Sequence, residues 1–385
     1  MKRIVVIQYK RLETLHPVMT LLLSLKKIGC AVYFVGVASE PAVSFLTKNA
    51  IPYYFIPFKE KLYHNDNLYQ KITHRVERAL RFFECRRSAV HAVEKICKEC
   101  NDVILWFICV QSAALFGNAF QRYRKRIISI YELGEDYGRA WIGFDFKKFM
   151  RSSTVVVPEY NRACITKELY ALQKQPLVVV NRPFQCTIPN GYDLPKDIQK
   201  VFVSIGNKPI FLYQGVWTDD RKDVVKVLST IARFRPNYAV VVIPVSEAAR
   251  KELAEYENAF LLPYIAPPNH LAVTVRATIG IAIYTPTGSS LLGRLNPAYC
   301  APNKIYEYAG FGIPTLGNNI PGLKYSIEAN GAGLCCELIE SEILKTADRL
   351  VENIEKYREG ARHFFDNSDV VSEISKVVDN VEVER

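Results

Sequence analysis

Lys304 and Glu307 stand three residues apart in the segment Pro302–Leu323, PNKIYEYAGFGIPTLGNNIPGL. On a helix this spacing puts an ammonium and a carboxylate on one face of the first turn. Asn303 suits the cap position, and Gly310 and Gly312 suit the stop. A helix N-terminus joined by a lysine fits an anionic phosphate. A carboxylate one turn later can accept two hydrogen bonds from a ribose diol. The same spacing equally describes a surface ion pair on a solvated helix.

Other signatures are missing. The first predicted strand runs into IQYKRLETLHP, without a Gly-x-Gly-x-x-Gly turn. The chain has neither a Walker-type loop nor a Ser-centred nucleophile elbow, so dinucleotide oxidoreductases, P-loop NTPases and α/β-hydrolases lose most of their support. Cys97 and Cys100 have a metal-like spacing, but no second pair completes a zinc site, and no Asp-x-Asp metal motif occurs. No metal and no cofactor are expected.

The elements that must carry these residues alternate. Short apolar runs at Arg3–Gln8, Ala31–Val37, Pro52–Pro57, Val103–Val110, Arg126–Tyr131, Thr154–Pro158 and Pro176–Asn181 predict parallel strands buried on both faces. Pro17–Ile28 repeats Val18, Leu21, Leu22 and Leu25 on one helical face, with Gly29 as stop. Leu68–Cys100 reads as a long Arg-rich helix. The alternation breaks in NRPFQCTIPNGYDLPKD and restarts with strands at Pro209–Gln214, Tyr238–Pro244, Ala259–Ile265, Thr278–Tyr284, Pro314–Gly317 and Gly333–Cys336.

The expected fold class is α/β, two doubly wound Rossmann-like domains facing a cleft. The expected boundaries are 1–185 for the first domain, 186–207 for a linker, 208–365 for the second domain and 366–385 for a last helix.

The segment at 302–323 resembles the donor-nucleotide motif of retaining GT-B glycosyltransferases, the family four group in particular. Phe211–Lys222, FLYQGVWTDDRK, resembles that family's first strand and glycine turn in the nucleotide domain. Ala259–Ile265, Leu271 and Ala277–Pro286 resemble its base-contacting loop and following strand. Tyr131–Asp136, YELGED, is similar to a Tyr-Asp-x-His-Glu element, and Val178–Pro183 to the strand before the linker. The resemblance implies that Glu307 binds the ribose hydroxyls, that Asn303 and Lys304 lie at the diphosphate end of their helix, and that Gly215 lets the backbone approach the phosphates. It implies a phosphate contact from Arg221 or Lys222, and a place for Tyr264 beside the base. It also implies that 1–185 is the acceptor-side domain, that 208–365 is the nucleotide-sugar domain and that the helix at 366–385 returns to the first domain. The sequence departs from the family at three positions: Tyr299 replaces a glutamate eight residues before Glu307, Val216 replaces an arginine, and Gly134 replaces the histidine.

On the acceptor side, His16 follows the first strand, and Glu132, Glu135 and Asp136 follow another strand's carboxyl end. His16, Glu132 and Glu135 are the candidates for contacting donor phosphate or orienting a hydroxyl, against a plain reading as helix-start and solvated loop residues.

Charge bears on partners. The 385 residues carry a net +11. Residues 1–190 hold 29 Lys and Arg against 15 Asp and Glu, while the remainder holds 21 against 24. Arg75, Arg78, Arg81, Arg86, Arg87, Arg122, Arg124, Lys125 and Arg126, with Phe82 and Phe83 among them, fit either attachment to an anionic membrane surface or a solvated face. No nucleic-acid module is present. The N-terminal apolar run is too short for a secretory signal, and the ten cysteines fit a reducing compartment. A cytoplasmic chain, peripheral at the inner membrane face, is expected.

These readings converge on a glycosyltransferase that moves a sugar from a nucleotide-diphosphate-sugar donor to a hydroxyl of a glycan, lipid-linked or a cell-surface precursor, with retention. The rivals are a catalytically idle GT-B subunit and a nucleotide-sugar epimerase on the same scaffold.

Overall fold

The computed structural model describes residues 1–57, 68–98, 102–134, 143–215, 222–244, 246–286 and 290–381. The chain divides into two compact units, Met1–Val180 with Val370–Arg385, and Asn181–Asp369.

The first unit is built on a parallel sheet. Its strands are β1 Arg3–Arg11, β2 Ala31–Val37, β3 Tyr53–Ile56, β4 Val103–Ile108, β5 Arg126–Ser129, β6 Thr154–Val157 and β7 Leu177–Val178, in the order β3-β2-β1-β4-β5-β6-β7. Alternate residues of β1 serve opposite cores. Val5 and Ile7 pack with Ala89, Val93, Leu105, Phe107 and Phe149. Ile4 and Val6 pack with Leu21, Leu22, Leu25, Ile374 and Val377 on the other face. Burial on both faces is why the strands read as unbroken apolar runs. The helix His16–Lys27 ends in a Schellman turn: Gly29 has φ +81°, its N–H donates to Lys26 and the Cys30 N–H donates to Leu25.

Several arginines of the basic half turn inward, Arg162 among them, which is buried and donates to the Tyr131 carbonyl. Arg126 is fully buried and donates to the carbonyls of Phe120, Tyr123 and Ser152. Arg86 donates to the Leu115 and Ala114 carbonyls, both at 2.9 Å. Arg81, Arg122 and Lys125 pair with Glu77, Glu94 and Asp102. Arg87 and Arg124 are exposed, and the side chains of Arg75 and Arg78 lie outside the described set. The basic count therefore overstates the cationic surface. Among the described residues no helix is long and apolar enough to cross a membrane.

The second unit has strands β8 Ile210–Gln214, β9 Ala239–Ile243, β10 Ala259–Leu261, β11 Ile279–Ala282, β12 Thr315–Asn318 and β13 Gly333–Cys336, all parallel, in the order β10-β9-β8-β11-β12-β13. Phe211 and Tyr213 of β8 face one core, Ile210 and Leu212 the other. The stretch 186–207, expected as linker, contains the helix Lys196–Ile205; its Ile198, Phe202 and Ile205 recur at helical spacing and are buried in this unit.

Several strands stop short of their apolar runs. Ala259–Ile265 yields strand only to Leu261, and Pro263, which lacks an N–H, follows. Val103–Val110 turns at Cys109, whose φ of +60° starts the helix Cys109–Ala114.

Candidate functional site

The helix Asn303–Gly310 buries Ile305, Tyr306, Tyr308 and Ala309. Its cap position is Pro302, not Asn303 as expected; Asn303 is the first helical residue and no side chain caps the turn. The missing N–H of proline costs nothing there, where backbone donors have no helical partner. Tyr308 anchors the helix to the sheet. Its hydroxyl donates to the Leu212 carbonyl at 3.1 Å and accepts from the Gln214 N–H at 3.3 Å. Burial holds this phenol well above its ordinary pKa, so it stays protonated. Its ring fills the space beside Gly280, where a Cβ would come within 2.2 Å of it.

This anchoring brings Glu307 to the carboxyl end of β8. Its side chain is 13% exposed, which excludes a solvated surface pair. Glu307 Oε2 accepts from Gln214 Nε2 at 2.5 Å and lies 3.3 Å from His270 Nε2. The carboxylate only accepts, which settles the orientation of the Gln214 amide and turns its Oε1 to accept from Thr274 Oγ1 at 2.7 Å. Cys186 lies under the same helix, near enough to Glu307 to feel its charge. Burial first, then that charge, push the thiol pKa up to about 12.

Lys304, one turn earlier, extends over aromatic faces. Its Nζ is 4.3 Å from the Tyr213 ring centre and 5.6 Å from that of Tyr284. Tyr284 is itself fixed by Asn318, whose side chain accepts from the Tyr284 N–H at 2.9 Å and donates to its carbonyl at 2.8 Å. Gly215 completes the group. Its N–H donates to the Ile243 carbonyl, and its φ of +152° favours glycine. A Cβ there would stand 2.9 Å from Lys304 Nζ. An ammonium, a helix N-terminus, a glycine turn and a partly buried carboxylate thus meet at the ends of β8 and β11.

Gly215, Lys304 and Glu307 of the expected residues are gathered here, with Asn303 opening the helix. Lys222 is exposed at the start of the helix Lys222–Phe234. Tyr264, beyond β10, is 67% exposed. In the first unit, His16 is the first residue of its helix and half-buried, and Glu132 is exposed beyond β5. Arg221 and Glu135 lie outside the described residues. Sequence reasoning passed over Gln214, His270 and Thr274. One signal was available: a polar residue closing an apolar strand just before a glycine turn. Among the described residues no group of three His, Cys, Asp or Glu side chains is placed to hold a metal ion.

No protein-family model matches the chain, and no curated protein matches it. Solved structures do. A glycosyltransferase from Rickettsia africae ESF-5 superimposes with a TM-score of 0.66 at 14% identity, covering 98% of this chain and 99% of that one. Anabaena HepE in complex with UDP-glucose gives 0.64 at 11% identity over 98% and 99%. The UDP-GlcNAc 2-epimerase of Neisseria meningitidis bound to UDP-GlcNAc gives 0.56 at 12% identity over 98% and 99%. The chain has the GT-B fold, with two parallel-sheet, Rossmann-like α/β units.

Proposed function

We propose that the protein is a glycosyltransferase moving a sugar from a nucleoside diphosphate-sugar to a hydroxyl of a glycan, with its anomeric configuration retained. One observation carries the reading: Gly215, Lys304 and the partly buried Glu307 converge at the carboxyl end of β8 and the N-terminal turn of Asn303–Gly310. Glu307 accepts from the ribose hydroxyls. Gly215 admits the diphosphate to the backbone. Lys304 and the helix N-terminus oppose the negative charge that grows on the leaving diphosphate as the glycosidic bond breaks. A preset cation in a partly buried site does this without reorganising water, so the role needs no metal.

The remaining assignments rest on the family resemblance. Arg221 or Lys222 contacts phosphate and Tyr264 the base, while His16, Glu132 and Glu135 serve the acceptor. The acceptor is a lipid-linked or cell-surface glycan precursor. Exposed Arg87 and Arg124 contribute to holding the protein at an anionic membrane.

HepE with UDP-glucose makes a uridine donor the first to try. The Neisseria epimerase favours a second reading, sugar epimerisation on the same scaffold. Tyr299 and Gly134, at two positions where the family carries chemistry, favour a third, an idle subunit. Incubation with UDP-glucose and UDP-GlcNAc, with and without glycan acceptors, separates them. UDP release only with acceptor supports transfer. Interconversion of the free nucleotide-sugar supports epimerisation. Binding without turnover supports the idle subunit.

A further inference from the structure

Glu307 is held by an element that carries none of the expected site residues. His270 precedes the single helical turn Leu271–Thr274. Its Nε2 faces Glu307 Oε2 at 3.3 Å, its side chain is 13% exposed, and its Nδ1 is buried with no hydrogen-bond partner. These facts locate the proton. A carboxylate only accepts, so the nitrogen facing it must donate, and a neutral ring then carries its hydrogen on Nε2.

The same turn acts on Glu307 by a second route. Thr274, four residues on, donates to Gln214 Oε1 at 2.7 Å, which presents the Gln214 amide N–H to the same Glu307 oxygen at 2.5 Å. The Thr274 N–H donates to the His270 carbonyl at 3.1 Å, which ties the two ends of the turn together. Two donors from different parts of the unit therefore converge on one carboxylate oxygen. A side chain held at two points keeps one orientation, and a preset acceptor loses less freedom when a diol arrives.

We propose that His270 is a positioning residue. By donating from Nε2 it fixes the Glu307 carboxylate for the ribose diol, and so sets the preference for ribonucleotides over 2′-deoxyribonucleotides. This rests on the reading of Glu307 as the ribose acceptor.

The test is calorimetric. UDP, ADP and GDP are titrated into the wild-type protein, and the tightest binder is compared with its 2′-deoxy form. The same pair is then titrated into His270→Leu, which removes the donor, and His270→Gln, whose amide nitrogen can replace Nε2. In His270→Leu the ribonucleotide is expected to weaken about tenfold, as for loss of one support to a charged acceptor, with the deoxynucleotide within about twofold of wild type. His270→Gln should restore the ribo-to-deoxy ratio to within about twofold of wild type. A merely structural histidine would weaken both nucleotides together and leave that ratio unmoved. If His270→Leu does not fold, His270→Asn provides the contrast, being polar but too short to reach Glu307. An unchanged ratio in a folded variant overturns the role of His270 and leaves the nucleotide site standing. Failure of the wild type to bind any of the three diphosphates overturns both.

Discussion

The Lys304 ammonium lies 4.3 Å from the centre of the Tyr213 ring, at the mouth of the turn that Gly215 makes. A cation on an aromatic face gains about 0.5–2 kcal/mol, depending on how far it is desolvated, and the contact restricts a stem that would otherwise sample many rotamers. Lys304→Met keeps much of the apolar stem and removes the charge. It should weaken UDP binding by about 1.5–3 kcal/mol, the range for a charged hydrogen-bond partner, and leave uridine binding unchanged. Isothermal titration of both ligands checks this. Equal losses for UDP and uridine would separate Lys304 from the diphosphate.

Glu307→Ala removes the proposed ribose acceptor and leaves Gln214 and His270 without their shared partner. Nucleotide affinity should fall by about 1.5–3 kcal/mol. Circular dichroism must show a folded chain. Unaltered nucleotide affinity in that folded chain would falsify the site assignment.

Gly280 and Gly215 separate stability from binding. Alanine at Gly280 would drive a methyl into the Tyr308 ring, which sits within 2.2–2.5 Å of that point. Overpacking of this kind costs about 1–3 kcal/mol, so the urea midpoint should drop. Alanine at Gly215 meets the movable end of Lys304, but at a φ of +152°. Backbone strain there is about 1–3 kcal/mol, and the displaced ammonium should lower UDP affinity as well. A Gly215→Ala protein that binds UDP normally would count against close phosphate approach at this turn.

Asp348 gives a pH-dependent prediction. Arg235 Nε donates to its carboxylate at 2.8 Å and the Tyr238 hydroxyl at 2.9 Å, and these bonds hold its pKa below the usual carboxylate range. A carboxyl whose folded pKa is depressed stabilises the fold above its unfolded pKa, and that contribution is lost as pH falls through the folded value. Asp348→Asn should therefore be less stable than wild type at pH 7, with the difference shrinking below about pH 4. Urea melts of both proteins across that range measure it. A difference that stays constant with pH would assign the loss to packing.

Sedimentation with vesicles tests membrane attachment. Vesicles rich in anionic lipid should retain the protein, retention should fall with added salt, and Arg87→Glu with Arg124→Glu should reduce it. Retention that ignores lipid charge would remove the membrane from the proposed function.

Much of the architecture was legible because buried parallel strands must be apolar throughout, as in VILWFI and AVVVI. Their ends were not. The run at Val103–Val110 continues apolar through the turn at Cys109, because the helix that follows is buried as well. Arg126 and Arg86 read as surface charge, since nothing in the sequence announces that a guanidinium will turn inward to satisfy backbone carbonyls. Lys304 and Glu307 were visible as a local pair. The donors that hold Glu307 were not, because Gln214 and His270 lie 93 and 37 residues from it in the chain and meet it only through the register of the sheet.

The helix Val370–Asp379 has a consequence for synthesis. It completes a core begun at the other end of the chain: Val370, Ile374, Val377 and Val378 cover Ile4, Val18 and Leu22, Lys2 pairs with Asp379, and the Val180 N–H donates to Glu373. A ribosome delivers these residues only after it has delivered all of 181–369. The second unit can therefore mature while one core of the first is still incompletely covered. Val370, Ile374, Val377 and Val378 end that exposure, and a polypeptide released before they are made leaves an apolar surface for chaperones and proteases to find.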